Sequence, residues 1–184
     1  MSTSFIVRAA VLLDAEAIAQ IHVVAWCAAY VDIVPQTHLD SLTIRDKVTL
    51  WKHILSDPVK AAKILVAEEQ AQVTRLLGFV SFGDAAAPSP NHKALVDGST
   101  KTGELRAIYV DPQDWSKGAG RRLWMAAQQQ LVEAQFTTVV VLVLARNERA
   151  IRFYEAAGFG KDGAGLIEIG GASLETVRLT KALT

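Results

Sequence analysis

An α/β fold built on a mixed sheet is the class this chain predicts, and three observations carry the prediction. Glu104–Leu123, reading ELRAIYVDPQDWSKGAGRRL, joins an apolar strand to an amphipathic helix through a short glycine-bearing loop. A second strand and helix follow at once, Val139–Ala145 and Glu148–Ala157, so a right-handed crossover with parallel pairing is expected. Upstream, Ile64–Glu68 and Leu76–Gly83 are apolar runs flanking a polar turn, the pattern of an antiparallel hairpin.

Each element has a local reason. Phe5–Arg8 reads as a strand, and Asp14 as the cap of a helix reaching about Tyr30, with Ile18, Ile21, Ala25 and Trp26 near one face. Pro35 closes that region. Thr43 opens a second helix to about Leu55, which Ser56-Asp57-Pro58 ends. Ala85–Thr102 is rich in Ala, Pro, Ser and Gly and too long for a routine connection, so it reads as disorder or as a mobile substrate loop. After it come the strand Glu104–Val110, the helix Gly118–Ala134, the strand Thr138–Ala145 and the helix Glu148–Ala157, stopped by Gly158. Ser173–Lys181 is a last strand, with Gly170-Gly171 as the turn before it.

Composition narrows the function classes. At 184 residues and 51% apolar, the chain suffices for one good-sized core, so residues 1–184 are expected to form a single domain. Lys+Arg and Asp+Glu balance at 19 each, which argues against nucleic acid as a partner, because phosphate neutralisation needs a basic surface. Cys27 is the single cysteine and is expected to be a small buried hydrophobe; no Cys/His spacing matches a metal site. Met1–Leu13 carries Arg8 and no small-residue cleavage site, and no run approaches the ~18 apolar residues of a membrane span. A cytoplasmic protein with no membrane partner is the expectation.

The loop Lys117-Gly118-Ala119-Gly120 is the sharpest signal. A strand that enters a helix through glycines leaves backbone N–H groups unpaired where the helix dipole favours an anion, and lets a diphosphate approach the main chain. Gly-x-Gly alone is a weak signal. Downstream, however, stands Asn147-Glu148-Arg149-Ala150-Ile151-Arg152-Phe153-Tyr154-Glu155-Ala156-Ala157-Gly158-Phe159. In order and spacing the two segments resemble the GNAT superfamily of acetyl-CoA-dependent N-acetyltransferases. Its pyrophosphate motif is Arg/Gln-x-x-Gly-x-Gly/Ala, and its thioester-side element is Asn-x-x-Ala-x-x-Phe-Tyr-x-x-x-Gly-Phe. Ile21-His22-x-x-x-Trp26-x-x-x-Tyr30-x-x-x-Val34-Pro35 adds a likeness to the opening of bacterial members. One departure is clear: Trp115 stands where the family prefers Arg or Gln, and Ser116 replaces a frequent glycine.

The resemblance implies a mixed central sheet flanked by helices, its parallel strands splayed around the cofactor, with acetyl-CoA as cosubstrate and no metal. It implies that Ser116, Lys117, Gly118, Ala119, Gly120 and Arg121 hold the diphosphate. The backbone of Ile108, Tyr109 and Val110 would pair with the pantetheine arm and offer an N–H to the thioester carbonyl. Asn147 would touch the cofactor, cap its helix, or do both. For the chemistry, Glu104 is the candidate base and Tyr154 the candidate acid. Their alternatives are a strand-end carboxylate paired with Arg106 and a core tyrosine. Trp26 and Tyr30 fall on helices that would wall the acceptor pocket, where core packing is the competing role; His22, His38, His53 and His92 have no catalytic or metal context. The acceptor would be a small-molecule amine or a peptide N-terminus, and a homodimer is compatible with the class. A non-catalytic acyl-CoA-binding or sensing domain is the alternative that Trp115 keeps open. A Rossmann nucleotide enzyme is disfavoured, since no β-Gly-x-Gly-x-x-Gly-α unit opens the chain.

Overall fold

The computed structural model describes residues 5–61, 63–70, 75–85 and 101–183. Seven strands form one sheet in the order β1-β2-β3-β4-β5-β7-β6. They are β1 (Phe5–Ala9), β2 (Ile64–Glu69), β3 (Leu76–Asp84), β4 (Thr102–Val110), β5 (Thr138–Leu144), β6 (Gly160–Ile169) and β7 (Ala172–Ala182). Among these only β4 and β5 pair in parallel, joined by the helix α5 (Ala119–Glu133). The expected β2–β3 hairpin is present. Its turn at 71–74, the segment 86–100 and His92 lie outside the described residues.

Two layers of helix cover the sheet because its central strands alternate two apolar faces. Ile64 and Val66 of β2 and Phe79 of β3 face α1 (Ala15–Ala29) and α3 (Ile44–Leu55), meeting Ile18, Ile21, Trp51 and Leu55. Leu65, Ala67, Val80 and Phe82 face the other way, onto Leu123, Trp124, Ala127 and Leu131 of α5 and onto α6 (Glu148–Ala156). Strand β3 is therefore buried on both sides. A Cβ on its Gly78 would come within 2.6 Å of the Tyr109 carbonyl oxygen, so glycine is what lets β3 and β4 approach there.

Several boundaries differ from the sequence-based expectations, each for a physical reason. Asp14 sits at the N-cap of α1 but makes no cap bond. Its carboxylate instead accepts from the Val11 N–H at 2.8 Å and from both terminal nitrogens of Arg8 at 2.7 and 2.9 Å, while Arg8 Nε also reaches Glu68. Arg8 thus fastens the start of α1 to the first two strands. Pro35 does not simply close a region, because it leads directly into the short helix α2 (Gln36–Ser41), of which only Leu39 is buried. Pro58 likewise opens the single-turn helix α4 (Pro58–Ala61). Thr43 caps α3 as expected, accepting from the Asp46 N–H at 3.1 Å.

Cys27 is exposed, not buried, because it lies on the outward side of α1, opposite the Ile18, Ile21 and Ala25 face. The expectation that no run approaches a membrane span also needs correction. Leu12–Ala29 is helical, 18 residues long and of mean hydropathy 1.3, which matches a span in length and composition; in this fold its apolar face packs on the sheet.

His22 of α1 lies at the edge of an aromatic cluster. Its ring stacks on Tyr109 at 5.3 Å, and Nδ1 accepts from the Trp51 indole N–H at 3.2 Å. Burial, with a smaller contribution from Lys47, lowers its pKa from 6.5 to about 4. The unfolded chain therefore binds the extra proton first, and stability falls as the pH drops from 6.5 towards 4. Chemical denaturation of the wild type at pH 5 should give an unfolding free energy lower than at pH 7.5 by at most about 2 kcal/mol on this account. In His22→Gln, which keeps an acceptor for Trp51, that part of the pH dependence should vanish.

Candidate active site

The site begins where two parallel strands part. β4 and β5 pair over Thr102–Thr138, Gly103–Val139 and Glu104–Val140 and no further. Beyond that point β4 stays with β3 as far as Val110–Gly78, and β5 stays with β7 as far as Leu144–Thr176. Each strand is held by its outer partner, so their shared edge opens into a cavity of about 360 Å³ lined by Arg106–Val110 on one side and Val141–Val143 on the other. A bulge in the β3–β4 ladder sets Phe82 against Leu105 and Ser81 against Ala107, leaving Arg106 as the extra residue at the mouth of the gap. Ile108, Tyr109 and Val110 all border the cavity. The Val110 carbonyl is already used, however, accepting from the Trp115 indole N–H at 2.8 Å.

The loop that follows is ordered by one buried carboxylate. Asp111 caps the 3-10 turn Pro112–Asp114 by accepting from the Gln113 N–H at 3.0 Å. Asp114, 2% exposed, then accepts two bonds from Arg75 at 2.6 and 3.0 Å and a third from Lys117 Nζ at 3.1 Å. Arg75, outweighing the cost of burial, holds that carboxyl below the usual carboxylate range. Lys117, expected at the diphosphate, thus spends its ammonium on Asp114 and is absent from the cavity wall. Ser116, Gly118, Ala119, Gly120 and Arg121 do line it. Gly118 adopts φ +92° at the N-cap of α5, and the first helical bond runs from Arg122 N–H to its carbonyl at 3.1 Å. The N–H groups of Ala119, Gly120 and Arg121 therefore precede the helical ladder, and all three residues line the cavity.

Hydroxyls gather at the inner end. Trp26 Nε1 donates to the Tyr109 hydroxyl at 2.8 Å, and Tyr109 and Asn147 both lie close to the Tyr30 hydroxyl. Asn147 caps α6, accepting from the Ala150 N–H at 3.1 Å. Tyr30, Asn147 and Tyr154 border the cavity, whereas Trp26 packs with Tyr30 beside Val34, Leu39 and Leu144 and does not reach it. Tyr154 is 6% exposed, wedged between Phe153 and Phe159 at 5.1 and 5.4 Å. Its pKa is raised by burial and, less, by neighbouring Tyr30, so the hydroxyl keeps its proton at neutral pH. Glu104 is not on the cavity wall; its carboxylate lies 3.7 Å from Arg106 Nε, while Arg106 also donates to the Phe82 and Asp84 carbonyls. Among the described residues no cluster of three or more His, Cys, Asp or Glu could hold a metal ion.

Comparison with known proteins gives the same picture. The Acetyltransferase (GNAT) family matches residues 21–159. A Bacillus subtilis (strain 168) protein described as an uncharacterized N-acetyltransferase, YuaI, is 31% identical over 173 residues, covering 94% of this chain and 90% of that protein. Among solved structures, yncA of Salmonella typhimurium, determined with its cofactor acetyl-CoA, superposes with a TM-score of 0.69 at 22% identity, covering 98% of this chain and 94% of that one. The PaiA N-acetyltransferase of Thermoplasma acidophilum in complex with coenzyme A gives 0.67 at 19% identity, with 97% and 99% covered. At these identities the structures speak for the fold. Family match, relative and fold agree, and the chain belongs to the GNAT family of acetyltransferases.

Proposed function

We propose that the protein moves an acetyl group from acetyl-CoA directly to the primary amine of a small molecule or a peptide N-terminus, without a covalent enzyme intermediate. The observation that carries this reading is the unpaired β4 edge at Ile108–Tyr109, opening beside the free amides at the start of α5. Acetyl-CoA supplies the activated acyl carbon. The residues present fit it: a Cβ on Gly118 would project into open space, and one on Gly120 would stand 3.5 Å from Phe153, so the loop is a hollow floored by backbone. Ser116 and Gly118–Arg121 would hold the diphosphate, and the Ile108–Val110 edge the pantetheine arm. We read residues 1–184 as one such domain acting in the cytoplasm; the continuous sheet supports the first part of this.

The remaining chemistry is proton management. An alkyl amine, with a reference pKa of roughly 10, must lose a proton before it attacks. We assign that task to Glu104 acting through water, since the carboxylate itself lies off the cavity wall. As the new C–N bond forms, backbone N–H groups of β4 stabilise the oxyanion. When the C–S bond breaks, the Tyr154 hydroxyl donates its proton to the departing thiolate. A thiol near 8.5 holds a proton less tightly than this buried tyrosine, so the transfer is favourable only when the proton shed by the nitrogen replaces it. Tyr30, packed beside Tyr109 and Asn147, supports the acceptor side. Trp26 acts on the acceptor only by holding Tyr109.

Screening acetyl-CoA against a broad amine panel for thiol release tests the reading, and ligand-induced stabilisation without turnover on any amine would favour acyl-CoA binding or sensing instead. Gly118→Asp should abolish acetyl-CoA binding in calorimetry. Gly118→Asn, which carries the same strain at positive φ without the charge, should retain most of it. Tyr154→Phe should lower turnover by roughly 10²- to 10⁴-fold with little change in acetyl-CoA affinity. For Glu104→Gln the rate should fall most at low pH and converge on the wild type as the pH nears the amine's own pKa; overlaying pH–rate profiles would make Glu104 a structural carboxylate beside Arg106.

A further inference from the structure

Position 115 carries an indole where the family's phosphate motif carries Arg or Gln, and the structure puts a guanidinium on top of it. The Trp115 ring is fixed at its edge by the bond from Nε1 to the Val110 carbonyl, 2.8 Å long. Arg149 Cζ lies 3.5 Å from the ring centroid, well within cation–π range. Trp115 and Arg149 line the same cavity as Ser116, Gly118, Gly120 and Arg121. Arg149 is the second residue of α6, an end of a helix where the dipole disfavours a cation. One turn on, Arg152 is satisfied by Glu148 at 3.0 Å, yet among the described residues no carboxylate pairs with Arg149. Arg149 is exposed overall, and partial desolvation against the ring, with no acidic partner, lowers its pKa. A guanidinium with no carboxylate partner among the described residues, resting over a ring that is itself pinned, is placed to take an anion.

We propose that Trp115 and Arg149 act as a stacked pair in which the Arg149 guanidinium binds the diphosphate of acetyl-CoA, restoring from α6 the cationic contact that the loop lacks at position 115. The proposal rests on the acetyl-CoA reading above. It adds a residue from a second element to the cradle, so that the diphosphate is clamped between the amides at the start of α5 and a side chain at the start of α6. Trp115 is the positioning residue: its ring fixes the plane of the guanidinium.

Calorimetric titration of the wild type, Arg149→Gln and Trp115→Arg/Arg149→Gln with acetyl-CoA and with dephospho-CoA, which lacks the 3′-phosphate, tests it. Loss of a charge-assisted contact should weaken acetyl-CoA binding roughly ten- to hundredfold in Arg149→Gln. The same factor should appear with dephospho-CoA, and the salt dependence of binding should become shallower. Restoring an arginine at position 115 in the double variant should recover most of the affinity. Arg149→Lys should bind at an intermediate level, since a point charge replaces the planar fork. Wild-type affinity in Arg149→Gln would overturn the proposal while leaving the cofactor reading intact. A loss confined to acetyl-CoA would overturn it too, by moving Arg149 to the 3′-phosphate. A wild type that binds neither ligand would overturn both.

Discussion

The parting of β4 from β5 is the constraint on which the rest of this molecule depends. Two parallel strands that separate in the middle of a sheet expose main-chain donors and acceptors that the interior cannot leave unpaired. The separation is stable here because each strand keeps an outer partner, β3 for one and β7 for the other, and because the Trp115 indole takes the carbonyl at the rim. What remains open on the β4 edge is a run of peptide groups facing a cavity, which is the form of an unfinished ladder. Glycine at position 78 contributes from the far side, since any Cβ there would strike the Tyr109 carbonyl and push β4 out of line.

The loop between β4 and α5 is stiffened by an arrangement that sequence spacing does not reveal. Asp114 is nearly inaccessible, and a buried carboxylate is costly unless paired and hydrogen-bonded. Arg75 and Lys117 meet that requirement, and in doing so they tie the start of β3 to the loop that precedes α5. Lys117 therefore shapes the cradle instead of filling it. The cationic side chains left on the cavity wall around the loop are Arg121 and Arg149, from two different helices.

At the inner end, hydrogen-bonded hydroxyls replace charge. Trp26 donates to Tyr109, and Tyr30 and Asn147 pack against that pair, so polar side chains from α1, β4 and the N-cap of α6 meet there. Tyr154 stands next to these residues and borders the same cavity. Thr176 Oγ1 is the one fully sealed side-chain polar atom without a partner among the described residues.

Local rules were enough for much of this. The β4-loop-α5-β5-α6 unit, the β2–β3 hairpin and the Thr43 cap were legible because each is written in consecutive residues: apolar runs, a glycine at a helix start, a hydroxyl three residues before its amide. The motif around Gly118 and the Asn147–Phe159 segment together indicated the family. Strand β6 was not legible. Glycines at 160, 163 and 165 and a mostly exposed face leave it no alternation to read, and it exists because β7 offers it a ladder. Asp14 was read as a cap from its position, but Arg8 and the Val11 amide claim its carboxylate. Exposure of Cys27, the diversion of Lys117 to Asp114 and the stacking of Arg149 on Trp115 likewise depend on which surfaces meet. Sequence by itself determined most of the elements and their chemistry, since propensity and periodicity act over a few residues; only the tertiary structure decided β6 and which partner each polar side chain takes, because those partners come from distant parts of the chain and compete for the same atoms.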